Sequence, residues 1–150
     1  MDSIKTSTGN KEVSVERDGK IAGVISFNPS DIIFAEKFYG LIGEFENKLA
    51  EYQARNDELD ANKSVDGNNV PVNLSARLSL LRDACEYIRG RIDHLFGIGT
   101  SQIAFGDALN LNMFEQFFNG ITPFVQSVRA DKIAQYTTPA AIKRRKRKPV

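Results

Sequence analysis

The chain contains a single cysteine, a single histidine and no tryptophan among its 150 residues. One cysteine, Cys85, excludes an internal disulfide and a zinc knuckle built from paired thiols. One histidine, His94, excludes a metal cluster built from several imidazoles. The two lie nine positions apart, about 13 Å along a shared helix, so they cannot form a nucleophile–base pair there. We expect Cys85 to be a small core residue and His94 to lie near helix C-terminal carbonyls.

Long apolar runs and nucleotide-binding motifs are also missing. No stretch reaches the roughly 18 apolar residues of a membrane span, and the N-terminus has no signal-peptide core, so we expect a cytoplasmic protein. The string Gly97-Ile98-Gly99 lacks the third glycine and preceding strand of a dinucleotide fingerprint and is better explained as a helix stop. Acidic pairs such as Glu44 with Glu46 fall on polar helix faces. We therefore expect a binding protein without catalytic residues, metal or cofactor.

Charge is distributed unevenly along the chain. The formal net charge is +1, but the last residues include a run of six basic side chains, so the rest of the chain is acidic. This basic tail consists of Lys143, Arg144, Arg145, Lys146, Arg147 and Lys148. Such a run can bind nucleic acid by counterion release or attach to an acidic protein. No aromatic residue is interleaved with it, and we expect residues 137–150 to be disordered.

The first third of the chain predicts a β-hairpin over residues 12–17 and 20–27, turning at Asp18-Gly19. We also expect a third short strand over Ile4–Ser7, because an isolated two-stranded ribbon is marginal. Together these residues form a predicted N-terminal hairpin segment, 1–29.

Two long amphipathic helices should follow. The first is expected to begin after Asn28 or Ser30 as cap and to run to about Leu59. Its apolar stripe is Phe34, Phe38, Leu41, Phe45, Leu49 and Tyr52. The second should begin at Asn73 or Ser75, and its stripe alternates steps of four and three residues. That stripe is Leu74, Leu78, Leu81, Cys85, Ile88, Ile92 and Leu95. We expect the two stripes to face each other in an antiparallel pair.

Two shorter helices are predicted near the C-terminus. One covers about 111–119, with Asn112 and Glu115 as a capping pair, and ends at Gly120. The other begins at Thr122-Pro123 and runs to about residue 136. The predicted fold class is therefore mainly α (α+β), with a helical body over residues 30–136.

Phenylalanine is concentrated in the same region, where six of the ten lie between residues 96 and 124. Core packing is the simpler explanation, and a groove for an apolar partner helix is the alternative. Adjacent Phe117 and Phe118 point about 100° apart on a helix, so they cannot both face one narrow seam. The candidate protein-binding residues are Phe105, Met113, Phe114, Phe117, Phe118 and Phe124.

Three blocks carry a resemblance to a known family. They are F-N-P-S-D-I-I-F-A-E-K-F-Y (27–39), D-H-L-F-G-I-G-T (93–100) and N-M-F-E-Q-F-F-N-G-I-T-P-F (112–124). In these blocks the chain resembles tail assembly chaperones of siphophages and prophages of Gram-positive bacteria. The resemblance implies a protein that binds the helical tape measure protein, keeps it soluble and yields to tail tube subunits. It also implies absence from the mature virion and no catalytic activity.

Three functions therefore stand as hypotheses at this point. The first is a tail assembly chaperone that binds tape measure protein through the phenylalanine cluster, with self-association left open. The second is a structural tail or head–tail joining protein whose strands 12–17 and 20–27 pair with neighbours. The third is a small nucleic-acid-binding protein that acts through Lys143 to Lys148.

Overall fold

In the part of the chain that the structure describes, the fold is a β-hairpin followed by four helices, which confirms the predicted mainly helical class with an N-terminal hairpin. The computed structural model describes residues 1–61, 65, 67, 68, 70 and 72–137, with side chains up to Gln126 except that of Asp60. The strands are β1 (Lys11–Arg17) and β2 (Lys20–Phe27), and the helices are α1 (Ile32–Asp60), α2 (Leu74–Phe96), α3 (Thr100–Phe105) and α4 (Leu111–Thr137). Among the described residues, no helix is long and apolar enough to cross a membrane.

The hairpin forms where the sequence predicts it. Asp18 and Gly19 both have positive φ, which a tight two-residue hairpin turn requires. Val13 lies opposite Ile25 in the antiparallel register, and an irregularity follows Val15. Alternation places Val13, Val15, Ile25 and Phe27 on the face that packs against the helices. The third strand predicted over Ile4–Ser7 is absent, because residues 1–10 form no strand.

The start of α1 differs from the prediction by one to three residues. Asp31 is the cap, and its carboxylate accepts a hydrogen bond from the Ile33 amide at 2.9 Å. The predicted cap Asn28 instead uses its side-chain oxygen to accept from the Ser30 amide at 3.0 Å. Because that oxygen closes a turn before the helix, it is not available to the first helical amides.

Helices α1 and α2 form the predicted antiparallel pair. At the end of the pair nearer the hairpin, Arg91 donates to both carboxylate oxygens of Glu44, at 2.9 and 3.2 Å. Towards the other end, the Arg77 side chain donates to the Asn56 side-chain oxygen at 2.9 Å. The order of these pairs along the two helices fixes their opposite directions.

The helix break predicted at Gly120 is wrong, because α4 is a single helix with Pro123 inside it. A buried stripe crosses the break at steps of four, three and four residues, namely Phe114, Phe118, Ile121 and Val125. Continuing the helix keeps all four side chains in the core, which outweighs the one backbone hydrogen bond that Pro123 removes. The predicted capping pair is also replaced, since the Asn110 side chain accepts from the Asn112 amide at 2.9 Å.

Aromatic rings join the hairpin to three helices in one core. Phe27 of β2 stacks against Phe34 of α1 and meets Phe96 of α2 edge to face, with ring centroids 5.8 Å apart in each case. Along α4, Phe114 meets Phe45 of α1, while Phe118 meets both Phe45 and Phe38. Helix α4 therefore runs antiparallel to α1 and begins level with Phe45.

Candidate protein-binding groove

The predicted protein-binding residues divide into two groups. Phe105, Phe114 and Phe118 are buried, with exposures of 2%, 0% and 4%, and they belong to the core. Assigning them to a partner-binding surface was wrong, because a partner could reach them only if the core opened. Phe114 packs edge to face on Phe105 at 4.6 Å, which accounts for both rings by internal packing.

The other three predicted residues, Met113, Phe117 and Phe124, are only partly buried. They form one wall of a groove between α4 and the hairpin, and the opposite wall is Val13 and Val15 of β1. The neighbours Phe117 and Phe118 point differently, as the helix geometry predicts. Phe118 packs against α1, whereas Phe117 packs against Phe96 and Phe105 and also lines the groove.

The groove has an apolar floor and a polar rim. Buried Ile25 and Ile121 lie at its base, and its remaining lining residues are Ser14, Glu16, Gln116 and Gly120. A Cβ on Gly120 would meet nothing within 4 Å, so this glycine keeps the α4 wall low. Gly120 was predicted to end a helix, but it lies inside α4 and lines the groove.

Size and charge limit what the groove can hold. Its volume of about 240 Å³ is below the roughly 300–1,000 Å³ of small-molecule pockets. It therefore suits a few apolar side chains of a partner better than a whole ligand. The Lys11 ammonium lies 5.1 Å from the centre of the Phe124 ring, and Glu16 lies towards the other end of β1. A partner in the groove would thus meet opposite charges at the two ends of the strand.

The D-H-L-F-G-I-G-T block has an architectural role. The Asp93 carboxylate accepts from the Ser101 amide at 2.7 Å and from the Ser101 hydroxyl at 2.8 Å, so it holds the first turn of α3. Gly97 and Gly99 have positive φ, which the tight turn between α2 and α3 requires. His94 lies in the last turn of α2, as predicted, with its side chain exposed.

Sequence reasoning missed the role of Arg17. Its guanidinium donates to the carbonyl of Gln102 at 3.2 Å and to that of Ile103 at 2.5 Å, near the C-terminal end of α3. The hairpin is thereby fixed to α3, which positions β1 opposite α4. Only the glycines that flank the short apolar segment, Gly97, Gly99 and Gly106, could have indicated α3, and nothing local links it to Arg17.

Cys85 is fully buried, as predicted, and burial raises the pKa of its thiol. Within the described residues, no group of three His, Cys, Asp or Glu side chains is arranged to hold a metal ion. The basic tail, Lys143 to Lys148, lies outside the described residues.

A family model described as a family of unknown function, DUF6673, matches residues 22–148. The chain belongs to this family. A search of curated proteins and a search of solved structures each found no significant match.

The DUF6673 match begins within β2 and continues through α4. It therefore includes the α4 wall and floor of the groove, with Met113, Phe117 and Phe124, and begins after the β1 wall of Val13 and Val15.

Proposed function

We propose that this DUF6673 protein is a tail assembly chaperone that binds an apolar helical segment of a tape measure protein in the groove between β1 and α4. The observation that carries the proposal is the groove itself. Two separate elements place partly exposed apolar side chains on either side of a buried apolar floor. Proteins commonly bind amphipathic helices in such grooves by accepting side chains spaced three or four residues apart.

The small volume of the groove suits reversible binding. Each apolar side chain that a partner buries contributes roughly 1.5–3 kcal/mol, whereas association costs about 4–15 kcal/mol. A groove of this volume accepts few side chains, so one copy holds its partner weakly. Weak binding fits a chaperone that must release the tape measure protein to tail tube subunits. A long helical partner could carry several copies along its length.

The net negative charge of residues 1–142 supports the same function. Residues 1–142 carry 14 basic and 19 acidic side chains. Copies bound along an apolar helix would cover its apolar face and present like charge to one another, which opposes aggregation. This is how the chain would keep its partner soluble.

The structural virion role receives less support from the hairpin. Within the described part of the chain, β1 pairs with β2 alone, which leaves an outer strand edge. However, β1 carries Lys11, Glu12 and Glu16, and charged side chains on an edge strand oppose pairing with a neighbour. Mass spectrometry of purified virions separates the roles, since a chaperone is absent from the particle.

The groove is tested with Met113→Glu, which places a charge on its α4 wall. Position 113 lies in the first turn of α4, where a glutamate interacts favourably with the helix dipole, so the helix should stay intact. The protein is co-expressed with a siphophage tape measure protein, and the soluble tape measure fraction is measured. We expect wild type to solubilise the partner and Met113→Glu to lose most of that effect while it keeps the helical circular dichroism spectrum of wild type.

Ile98→Glu is the matched control, because Ile98 is fully exposed in the turn before α3, outside the groove. It should retain wild-type solubilisation. Equal solubilisation of the tape measure protein by wild type and by Met113→Glu would exclude the groove as the binding site. If wild type does not solubilise the tape measure protein at all, the chaperone function is rejected.

A further inference from the structure

The apolar stripe of α2 runs along the whole helix, but the described residues cover only part of it. In the C-terminal half of α2, Cys85, Ile88 and Ile92 are at most 1% exposed. In the outer half, Leu78 is 57% exposed and Leu74 is 39% exposed. The sequence pattern is the same in both halves, so the difference lies in what packs against them.

The cover ends where α4 begins. Phe114, in the first turn of α4, is level with Phe45, and the loop before it reaches α2 through Leu109. Among the described residues, α1 and α2 continue beyond this level as a pair without a third helix over them. We call this part the helical arm, residues 46–60 of α1 with residues 74–84 of α2.

An open apolar depression runs along the arm. It measures about 840 Å³ and is larger than the groove between β1 and α4. Its apolar lining residues are Val70, Val72, Leu74, Leu78, Leu81 and Leu109. Exposed apolar surface that continues a buried core seam commonly marks a protein interface.

We propose that the arm of a second copy of this chain covers the depression, so that two arms pack about a two-fold axis as four helices. A two-fold interface requires a surface that fits itself, and a leucine stripe with steps of four and three residues fulfils this for antiparallel helices. The apolar seam that is buried around Cys85, Ile88 and Ile92 is then continued by the partner copy's arm.

The charges of the arm favour the same arrangement. The α1 part, residues 46–60, carries five acidic and two basic side chains. The α2 part, residues 74–84, carries two basic side chains and one acidic. Around a four-helix arrangement, the positive α2 of one copy lies beside the negative α1 of the other, which sets both partner and orientation. Arg82 is exposed and lines the depression, so it is the cation best placed to meet the second copy's α1.

The contact is short, which sets its strength. The arm part of α2 spans eleven residues, about 16 Å of helix, so the interface lies at the low end of stable protein–protein contacts. We therefore expect dimerisation that depends on protein concentration. This inference does not depend on the proposed function, because the arm and the β1–α4 groove share no residue.

The test is the mass of the full chain in solution, measured by sedimentation equilibrium over about a hundredfold range of concentration. We expect a monomer–dimer equilibrium in wild type. Leu78→Glu places a charge in the interface twice, once per copy, and should weaken dimerisation by roughly a hundredfold or more. Its side chain is mostly exposed in the monomer, so the thermal unfolding midpoint of the monomer should hardly change.

A second variant, Arg82→Glu, tests the charge argument without altering an apolar residue. It should weaken dimerisation roughly tenfold, and added salt should narrow its difference from wild type. Ile98→Glu, outside the arm, should dimerise like wild type. The proposal is overturned if wild type is monomeric throughout or if Leu78→Glu dimerises as well as wild type. It is also overturned if wild type alone stays monomeric and a tape measure protein binds in the depression in place of a second copy.

Discussion

Replacing Phe114 with alanine is expected to lower the free energy of unfolding by about 3–5 kcal/mol. Phe114 has no exposed surface, and its ring packs against Phe105 at 4.6 Å and against Phe45 at 6.4 Å. It joins α3, α4 and α1 at one point, so truncation leaves a cavity that none of these helices can fill alone. Urea unfolding followed by circular dichroism measures the loss.

Tyr39→Ala is the matched control, because Tyr39 is an aromatic residue on α1 with 41% exposure. Its loss should cost about 1 kcal/mol or less. Equal losses for the two variants would contradict the assignment of Phe114 to the core and would return it to the set of surface residues predicted from sequence.

Cys85 is expected to react with a water-soluble disulfide reagent at least about a hundredfold more slowly in the native protein than in urea. The thiol is fully buried on α2, and burial raises its pKa, so both access and the thiolate fraction are reduced. The rate is followed by the absorbance of the released thiolate at neutral pH. Fast native labelling would show that the α2 seam opens at this position.

The same pKa shift predicts a direction for stability against pH. The thiol of the unfolded chain ionises at a lower pH than the buried thiol, so the unfolded state binds fewer protons in alkaline solution. The contribution of Cys85 to the free energy of unfolding is therefore fully present below the ordinary thiol pKa and is lost as pH rises above it. In Cys85→Ala that part of the alkaline loss should be missing.

The hairpin and the α1–α2 pair could be predicted because their signals are local and repeated. The Asp18-Gly19 turn and the stripes beginning at Phe34 and Leu74 each report on one element. The helix break predicted at Gly120 failed because Gly120 and Pro123 were weighed alone. Four core side chains spaced along one face of α4 keep the helix continuous through both residues.

The candidate site was predicted only in part, for a physical reason. Helical periodicity shows which residues share a face, but it does not show which neighbouring element covers that face. Met113, Phe117 and Phe124 line the groove, while Phe114 and Phe118 point into the core from the same helix. The β1 wall, Val13 and Val15, depends on the attachment of Arg17 to α3 across 85 residues of sequence. No local pattern could indicate that contact.

Site-specific photo-crosslinking shows whether the tape measure protein binds in the groove between β1 and α4. A photoreactive residue at Gln116, on the rim of the groove, is compared with one at Ile98, outside it, in cells that also make the tape measure protein. We expect a crosslink from position 116 to an apolar helical segment of the tape measure protein and none from position 98. Tape measure protein that is solubilised without any crosslink from position 116 would contradict it.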